Sequence, residues 1–202
     1  YAAAMFHLMT HAFFIFLLFL GAGSVIHGMS GEQDMRNMGG IWRKMPITYG
    51  LMWLGSLALA GVPFFAGYYS KDMILESAFV SETVAGHIAF WFGITAAFLT
   101  AFYSGRLLFM TFHGEPRASR EVMKHVHESP PSMLVPLSYL ALGSLFAGAI
   151  GVYAFGMISG DSRFWQASIA SHETIHLAHH VPIWVKLLPI AMGAGGLALS
   201  WN

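Results

Sequence analysis

The sequence predicts an all-α protein, a polytopic bundle of helices that cross a membrane. Apolar residues make up 56% of the chain and charged residues only 10%, whereas about a quarter of the residues in a soluble domain are charged. The charges are separated by long uncharged runs at residues 1–31, 45–70, 83–105, 129–160 and 187–202. All but the last exceed the roughly 20 residues that span a bilayer. We therefore expect five transmembrane helices, the last of them cut short.

The uncharged runs place the helices along the chain. We predict helices at about residues 3–28, 46–80, 86–113, 131–157 and 183–202. The second helix is expected to be discontinuous near residues 63–67, because Pro63 removes a helical hydrogen bond and Gly67 weakens a helix. Since the chain starts and stops within apolar runs, we expect residues 1–202 to form a single transmembrane region of a longer subunit.

Charge and cysteine content exclude several functions. Ten basic and ten acidic side chains balance each other, so no basic surface favours a nucleic acid as a partner. The chain contains no cysteine, which excludes disulfides, iron–sulfur ligation and thioether attachment of haem. Any redox chemistry must therefore lie in other chains.

The distribution of Lys and Arg predicts the orientation in the membrane, because these residues are retained on the cytoplasmic side. Basic residues are concentrated in the connections after the first and third predicted helices. The first helix should therefore run toward the cytoplasm, and the 161–182 loop should face outward.

Lys71 directly follows the uncharged run that contains the predicted break. A broken membrane helix that presents an ionisable side chain is a common form of ion site. A lysine at the end of an apolar run also commonly extends to the lipid headgroups. The residue pattern alone leaves both interpretations open.

His7 and His11 lie one helical turn apart, so their side chains share one face of an uncharged helix. Such a pair could bind a metal, relay protons, or hydrogen-bond to a neighbouring helix. The segment offers no third ligand, which argues against a metal. Relay and structural hydrogen bond remain open, because a buried imidazole needs partners in either case.

The segment from His172 to His176 matches the H-E-x-x-H pattern of zinc proteases, in which two histidines bind zinc and a glutamate acts as general base. An intramembrane protease would carry this pattern within an apolar helix. Here it lies in a polar, histidine-rich segment that ends at Pro182. We interpret it as a solvated outer loop, predict no metal site, and keep a zinc protease as a remote alternative.

Five segments resemble a known family, at residues 6–14, 21–27, 32–40, 55–61 and 69–72. They are similar to the L-subunit family of bacterial NADH:quinone oxidoreductase, respiratory complex I, whose mitochondrial counterpart is NADH dehydrogenase subunit 5. The strong matches lie within the first part of the chain, up to about residue 115. Subunits of Mrp-type sodium/proton antiporters and of membrane-bound hydrogenases share the antiporter-like fold and are the alternative assignment.

The resemblance implies a proton-translocating subunit, driven by quinone reduction elsewhere in the complex. It implies that Lys71, with Asp72 as its neighbour, belongs to a proton half-channel, and that His7 and His11 lead protons toward it. FMN, iron–sulfur clusters and quinone would be bound by other subunits, with no cofactor or metal in this chain. The partners would be the lipid bilayer and other membrane subunits, in an obligate hetero-oligomer. The location would be the bacterial inner membrane or, as the alternative, the mitochondrial inner membrane.

One position departs from the family pattern. The family has a lysine one turn after the second histidine, whereas this chain has Ile15, followed by Phe16. Since isoleucine cannot carry a proton, the line from His7 through His11 lacks its last titratable member. Water, a residue elsewhere, an impaired subunit or a sequence error would each account for this difference.

Overall fold

The computed structural model describes residues 1–159, 164–166, 168–169 and 173–201. These residues form helices and no strand, so the predicted all-α fold is confirmed. The helices are α1 (Ala2–Gly28), α2 (Pro46–Ala60), α3 (Ala66–Phe79), α4 (Val84–Phe112), α5 (Arg120–His125), α6 (Pro131–Ala149), α7 (Glu173–Ala178) and α8 (Ile183–Leu199). A 3-10 turn at Met35–Asn37 precedes α2, and α6 continues as a π-helical turn at Ile150–Ala154.

Within the described part of the chain, three helices are long and apolar enough to cross a membrane. They are α1, α4, and α6 together with its π-helical extension. The apolar helices α2 and α8 are shorter. In the bundle α1 packs against α2, α3 and α6, while α4 packs against α8. Helix α3 contacts α1, α4 and α6, and its far end also meets α7 and α8.

The second predicted helix is discontinuous, as expected, and its break covers residues 61–65. The break starts earlier than the predicted 63–67, because Gly61 ends α2 in a left-handed conformation with φ of 80°. The amides of Gly61 and Val62 then bond back to the carbonyls of Ala58 and Leu57. Such a turn is a common helix C-terminus, and Pro63 follows where the helix cannot continue. Gly67 lies inside the first turn of α3 rather than in the break.

At the opposite end of α2, a buried polar cluster joins three segments of the bundle. Ser24 of α1 is 2.7 Å from Thr48 of α2 and donates a hydrogen bond to Ser129, also at 2.7 Å. Glu128 accepts hydrogen bonds from the amides of Ile47 and Thr48 and from the Thr48 hydroxyl. The carboxylate therefore caps the N-terminus of α2, where free amides favour a negative charge.

Replacing Glu128 with alanine is expected to destabilise the bundle by about 2 kcal/mol, because two helix-end amides and a buried hydroxyl lose a charged acceptor. Thermal unfolding of the purified protein in detergent measures this effect. Glu121→Ala is the matched control, since Glu121 is exposed on α5. Equal unfolding temperatures for the two variants would contradict the capping role.

The connection between α1 and α2 is held by charged side chains at the surface. Arg117 donates hydrogen bonds to the carbonyls of Met35 and Arg36. The side chain and amide of Arg36 donate to the Asp34 carboxylate, which lowers the pKa of Asp34 to about 2. The carboxylate therefore stays ionised except in strong acid. Arg36 and Arg117, which are predicted to face the cytoplasm, thus also fix the shape of this connection.

Candidate functional site

Lys71 lies across the break between α2 and α3. Its ammonium group donates a hydrogen bond of 2.7 Å to the carbonyl of Ala60, the last residue of α2. The final carbonyls of a helix have no partner within the helix and carry the negative end of its dipole. The Lys71 side chain is half-buried, and its charge is directed at the helix end that best stabilises it.

Glycines leave room for this contact. A Cβ atom on Gly61 would lie 2.5 Å from the Lys71 ammonium nitrogen, so no larger residue fits without moving the lysine. On the other side, a Cβ atom on Gly193 of α8 would lie 3.4 Å from the Ala60 oxygen. The ammonium site is therefore formed by the end of α2, by α3, and by Gly193 of α8.

Asp72, the predicted neighbour of Lys71, is buried, with 7% of its surface exposed. Neither of its carboxylate oxygens has a hydrogen-bond partner among the described residues. It interacts electrostatically with Lys71 and with Glu76. Burying a carboxylate without a partner is costly, so such a group is a candidate for exchange of a proton rather than for structural support.

His7 joins α1 to the residue that precedes Lys71. Its Nδ1 atom is 2.9 Å from the Ser70 hydroxyl, which also accepts a hydrogen bond of 2.7 Å from Thr10. Ser70 is itself bonded to the Ala66 carbonyl at 3.2 Å. A hydroxyl has one proton, so when Ser70 donates to Ala66, Nδ1 of His7 carries a hydrogen. The neighbouring turns of α1 and α3 thus share a polar contact.

His11 continues the same face of α1. The His7 and His11 rings are 5.5 Å apart, and the His11 ring packs edge-on against Phe14 at 5.1 Å. Ile15 lies half-buried one turn further along. On α1, the titratable face therefore extends from His7 to His11 and is followed by an aliphatic side chain.

The H-E-x-x-H segment is described only in part, since His172 and the side chain of Glu173 lie outside the described residues. In α7 and the turn after it, the rings of His176 and His180 are 5.2 Å apart, and His179 Nε2 is 3.1 Å from the Ile158 carbonyl. No group of three or more potential ligands that could hold a metal ion is found in the part of the chain that the structure describes.

Three polar residues of this region were not predicted from the sequence. Thr10 and Ser70 are fully buried and form the contact between α1 and α3. Glu76 is also buried, with 8% of its surface exposed, and lies one turn beyond Asp72 on the same face of α3. The spacing of Asp72 and Glu76 was the available signal, because two carboxylates one turn apart on an otherwise apolar helix face are unusual.

The fold and the site together define an antiporter-like membrane helix bundle with an ionisable side chain at a helix break. Residues 1–100 match the family described as NADH:quinone oxidoreductase/Mrp antiporter, TM. The chain belongs to this family, and the resemblance noted in the sequence is confirmed.

Relatives at similar levels of identity come from mitochondria-bearing organisms and from bacteria. The chain is 46% identical over 201 residues to NADH-ubiquinone oxidoreductase chain 5 of Phytophthora infestans. It is 45% identical over 200 residues to NADH-quinone oxidoreductase subunit L of Rickettsia typhi, and 44% identical over 206 residues to chain 5 of Triticum aestivum. These alignments cover 98%, 99% and 100% of this chain but 30% of each relative. The chain thus spans about 30% of the length of these relatives.

Proposed function

We propose that this chain is part of a proton-translocating membrane subunit of an NADH:quinone oxidoreductase. Protons would move through a half-channel centred on Lys71, driven by quinone reduction in other subunits. The observation that carries the proposal is the Lys71 ammonium bound to the Ala60 carbonyl within the helix break. The names of the relatives support the kind of complex in which this site works.

The local chemistry suits a site that loads and releases a proton. A partly dry environment disfavours the charged form of a lysine, while the Ala60 carbonyl and the α2 dipole favour it. Because these effects oppose each other, a small movement of α3 relative to α2 changes the balance. Movement away from Ala60 would release the proton, and return would bind another.

The polar contacts suggest how a proton reaches Lys71. His7 is hydrogen-bonded to Ser70, the residue before Lys71, and interacts electrostatically with Lys71. His11 lies one turn along α1. An imidazole takes a proton on one nitrogen and releases it from the other, so His11 and His7 would pass protons toward Lys71. Asp72 would act as the neighbouring acceptor.

The proposal includes the surroundings of the chain. FMN, iron–sulfur clusters and quinone would be bound by other subunits, and the chain would contact lipid and other membrane subunits in an obligate hetero-oligomer. The membrane would be the bacterial inner membrane or the mitochondrial inner membrane. The family also includes Mrp-type antiporters. The test must therefore show whether NADH oxidation or a sodium gradient drives the movement of protons.

The test uses the assembled complex in closed vesicles. Addition of NADH and a quinone should acidify the compartment into which protons are pumped, and a protonophore should abolish the gradient. Without NADH, an imposed sodium gradient should cause no proton movement. Proton flux driven by sodium in the absence of an electron donor would assign the chain to a sodium/proton antiporter instead.

A further inference from the structure

The second carboxylate of α3 connects the Lys71 site to the end of the bundle formed by α7 and α8. Glu76 lies five residues after Lys71, which corresponds to a rise of about 7.5 Å along the helix. It shares a face with Asp72, one turn away, and the two carboxylates interact electrostatically. Both are buried, so this face of α3 carries two acidic groups through apolar surroundings.

Helices α7 and α8 pack against α3 and bring basic groups to the end of α3 that carries Glu76. Glu76 interacts electrostatically with Lys186 of α8 and with His179, which follows α7. The Lys186 ammonium donates a hydrogen bond of 2.9 Å to the His179 carbonyl, so these two residues are held together. Lys186 is half-buried and His179 is exposed. The pair of Lys186 and His179 therefore reaches the surface, whereas Glu76 is buried.

Apolar packing encloses the contact between α3 and α8. Leu75, the residue before Glu76, is buried in a cluster with Val181 and Val185. Met73 is buried with Ala178 in a second cluster. The neighbours of Glu76 on α3 are therefore packed in apolar clusters, where a charged group is costly unless it has charged or polar partners.

We propose that Glu76, Lys186 and His179 form the exit of the proton pathway, from Lys71 to the surface at the turn after α7. This inference rests on the function proposed for Lys71. The proton passes from the Lys71 ammonium to the Asp72 carboxylate, then to the Glu76 carboxylate, to the His179 imidazole and to water. Asp72, Glu76 and His179 each gain and lose one proton and so return to their starting forms, and a proton passed from His7 restores the Lys71 ammonium. Lys186 stabilises the ionised carboxylate of Glu76, which opposes return of the proton.

The test replaces each group in the assembled complex and measures NADH-driven proton pumping in closed vesicles. Glu76→Gln retains the size of the side chain but cannot release a proton, so pumping should be at least about tenfold slower. Glu76→Asp should restore much of it. Glu82→Gln is the matched control, because Glu82 is exposed in the turn after α3 and its replacement should leave pumping unchanged.

The outcomes separate this inference from the function proposed for Lys71. If Lys71→Ala stops pumping while Glu76→Gln pumps normally, the exit is wrong and the function of Lys71 stands. If both variants pump normally, both proposals are overturned. A loss in Glu76→Gln that Glu76→Asp does not reverse would show a structural role and overturn the exit.

If the complex does not assemble with Glu76→Gln, a second variant tests the exit. His179→Gln combined with Lys186→Gln changes the outer groups of the pathway and leaves α3 intact. Its pumping rate should fall by at least about threefold, since an imidazole relay and its neighbouring charge are lost. An unchanged rate would overturn the exit.

Discussion

Replacing Gly67 with alanine is expected to prevent correct packing of the two halves of the broken helix. A Cβ atom at this position would overlap the carbonyl oxygen of Ala58. That oxygen is part of the turn that ends α2, so neither backbone can move without disturbing the break. Overpacking of this kind costs about 3 kcal/mol, and the subunit should fail to assemble in the membrane.

The measurement is the amount of assembled complex on native gels, compared with a matched glycine variant. Gly50→Ala is the control, because Gly50 lies in α2 and an added Cβ would have no atom within 4 Å. It should assemble normally, since alanine is the better helix former. Equal assembly of the two variants would show that α2 and α3 do not meet as closely as the structure indicates.

Gly61→Ala is expected to leave the bundle assembled and to remove most proton pumping. The added methyl carbon would lie 2.5 Å from the Lys71 ammonium nitrogen, which is too close for both groups, so the ammonium would be displaced. Lys71 would lose a charged hydrogen bond worth about 2 kcal/mol. A change of that size corresponds to about thirtyfold in a rate.

Backbone strain must be separated from this displacement, because Gly61 has a φ of 80° that alanine tolerates poorly. Gly31→Ala is the appropriate control. Gly31 also has a positive φ, of 95°, but a Cβ atom there would have no neighbour within 4 Å. Pumping per electron should be normal in Gly31→Ala. Equal losses in the two variants would mean that strain, rather than movement of Lys71, explains the effect.

Most of each long apolar helix, α1, α4 and α6, lies in a charge-free run of the sequence, because a charged side chain in lipid is costly. The sequence also predicts the discontinuity, since Pro63 cannot continue a helix. The exact break is set by the left-handed turn at Gly61 and by the close approach of Gly67 to Ala58. The sequence alone does not show which glycine adopts the left-handed turn and which one packs against Ala58.

In the candidate site too, the sequence identifies residues, whereas the contacts between them depend on the fold. Lys71, Asp72, His7 and His11 can be found from the sequence and its family resemblance, because each is a polar residue next to or within an apolar run. Their connections depend on which helices are neighbours. The Thr10–Ser70 contact requires α1 to lie against α3. The electrostatic interaction of Glu76 with Lys186 requires α8 to lie near the end of α3.

The central claim is that Lys71 in the helix break carries the translocated proton, and the most direct test is the number of protons pumped per electron by Lys71→Ala. The variant complex is reconstituted in closed vesicles, and NADH oxidation by the peripheral arm is measured with an artificial acceptor. Lys124→Ala, which changes an exposed lysine on α5, is the control. We predict that Lys71→Ala keeps the artificial-acceptor activity but pumps far fewer protons per electron than Lys124→Ala. Equal ratios in the two variants would contradict the account.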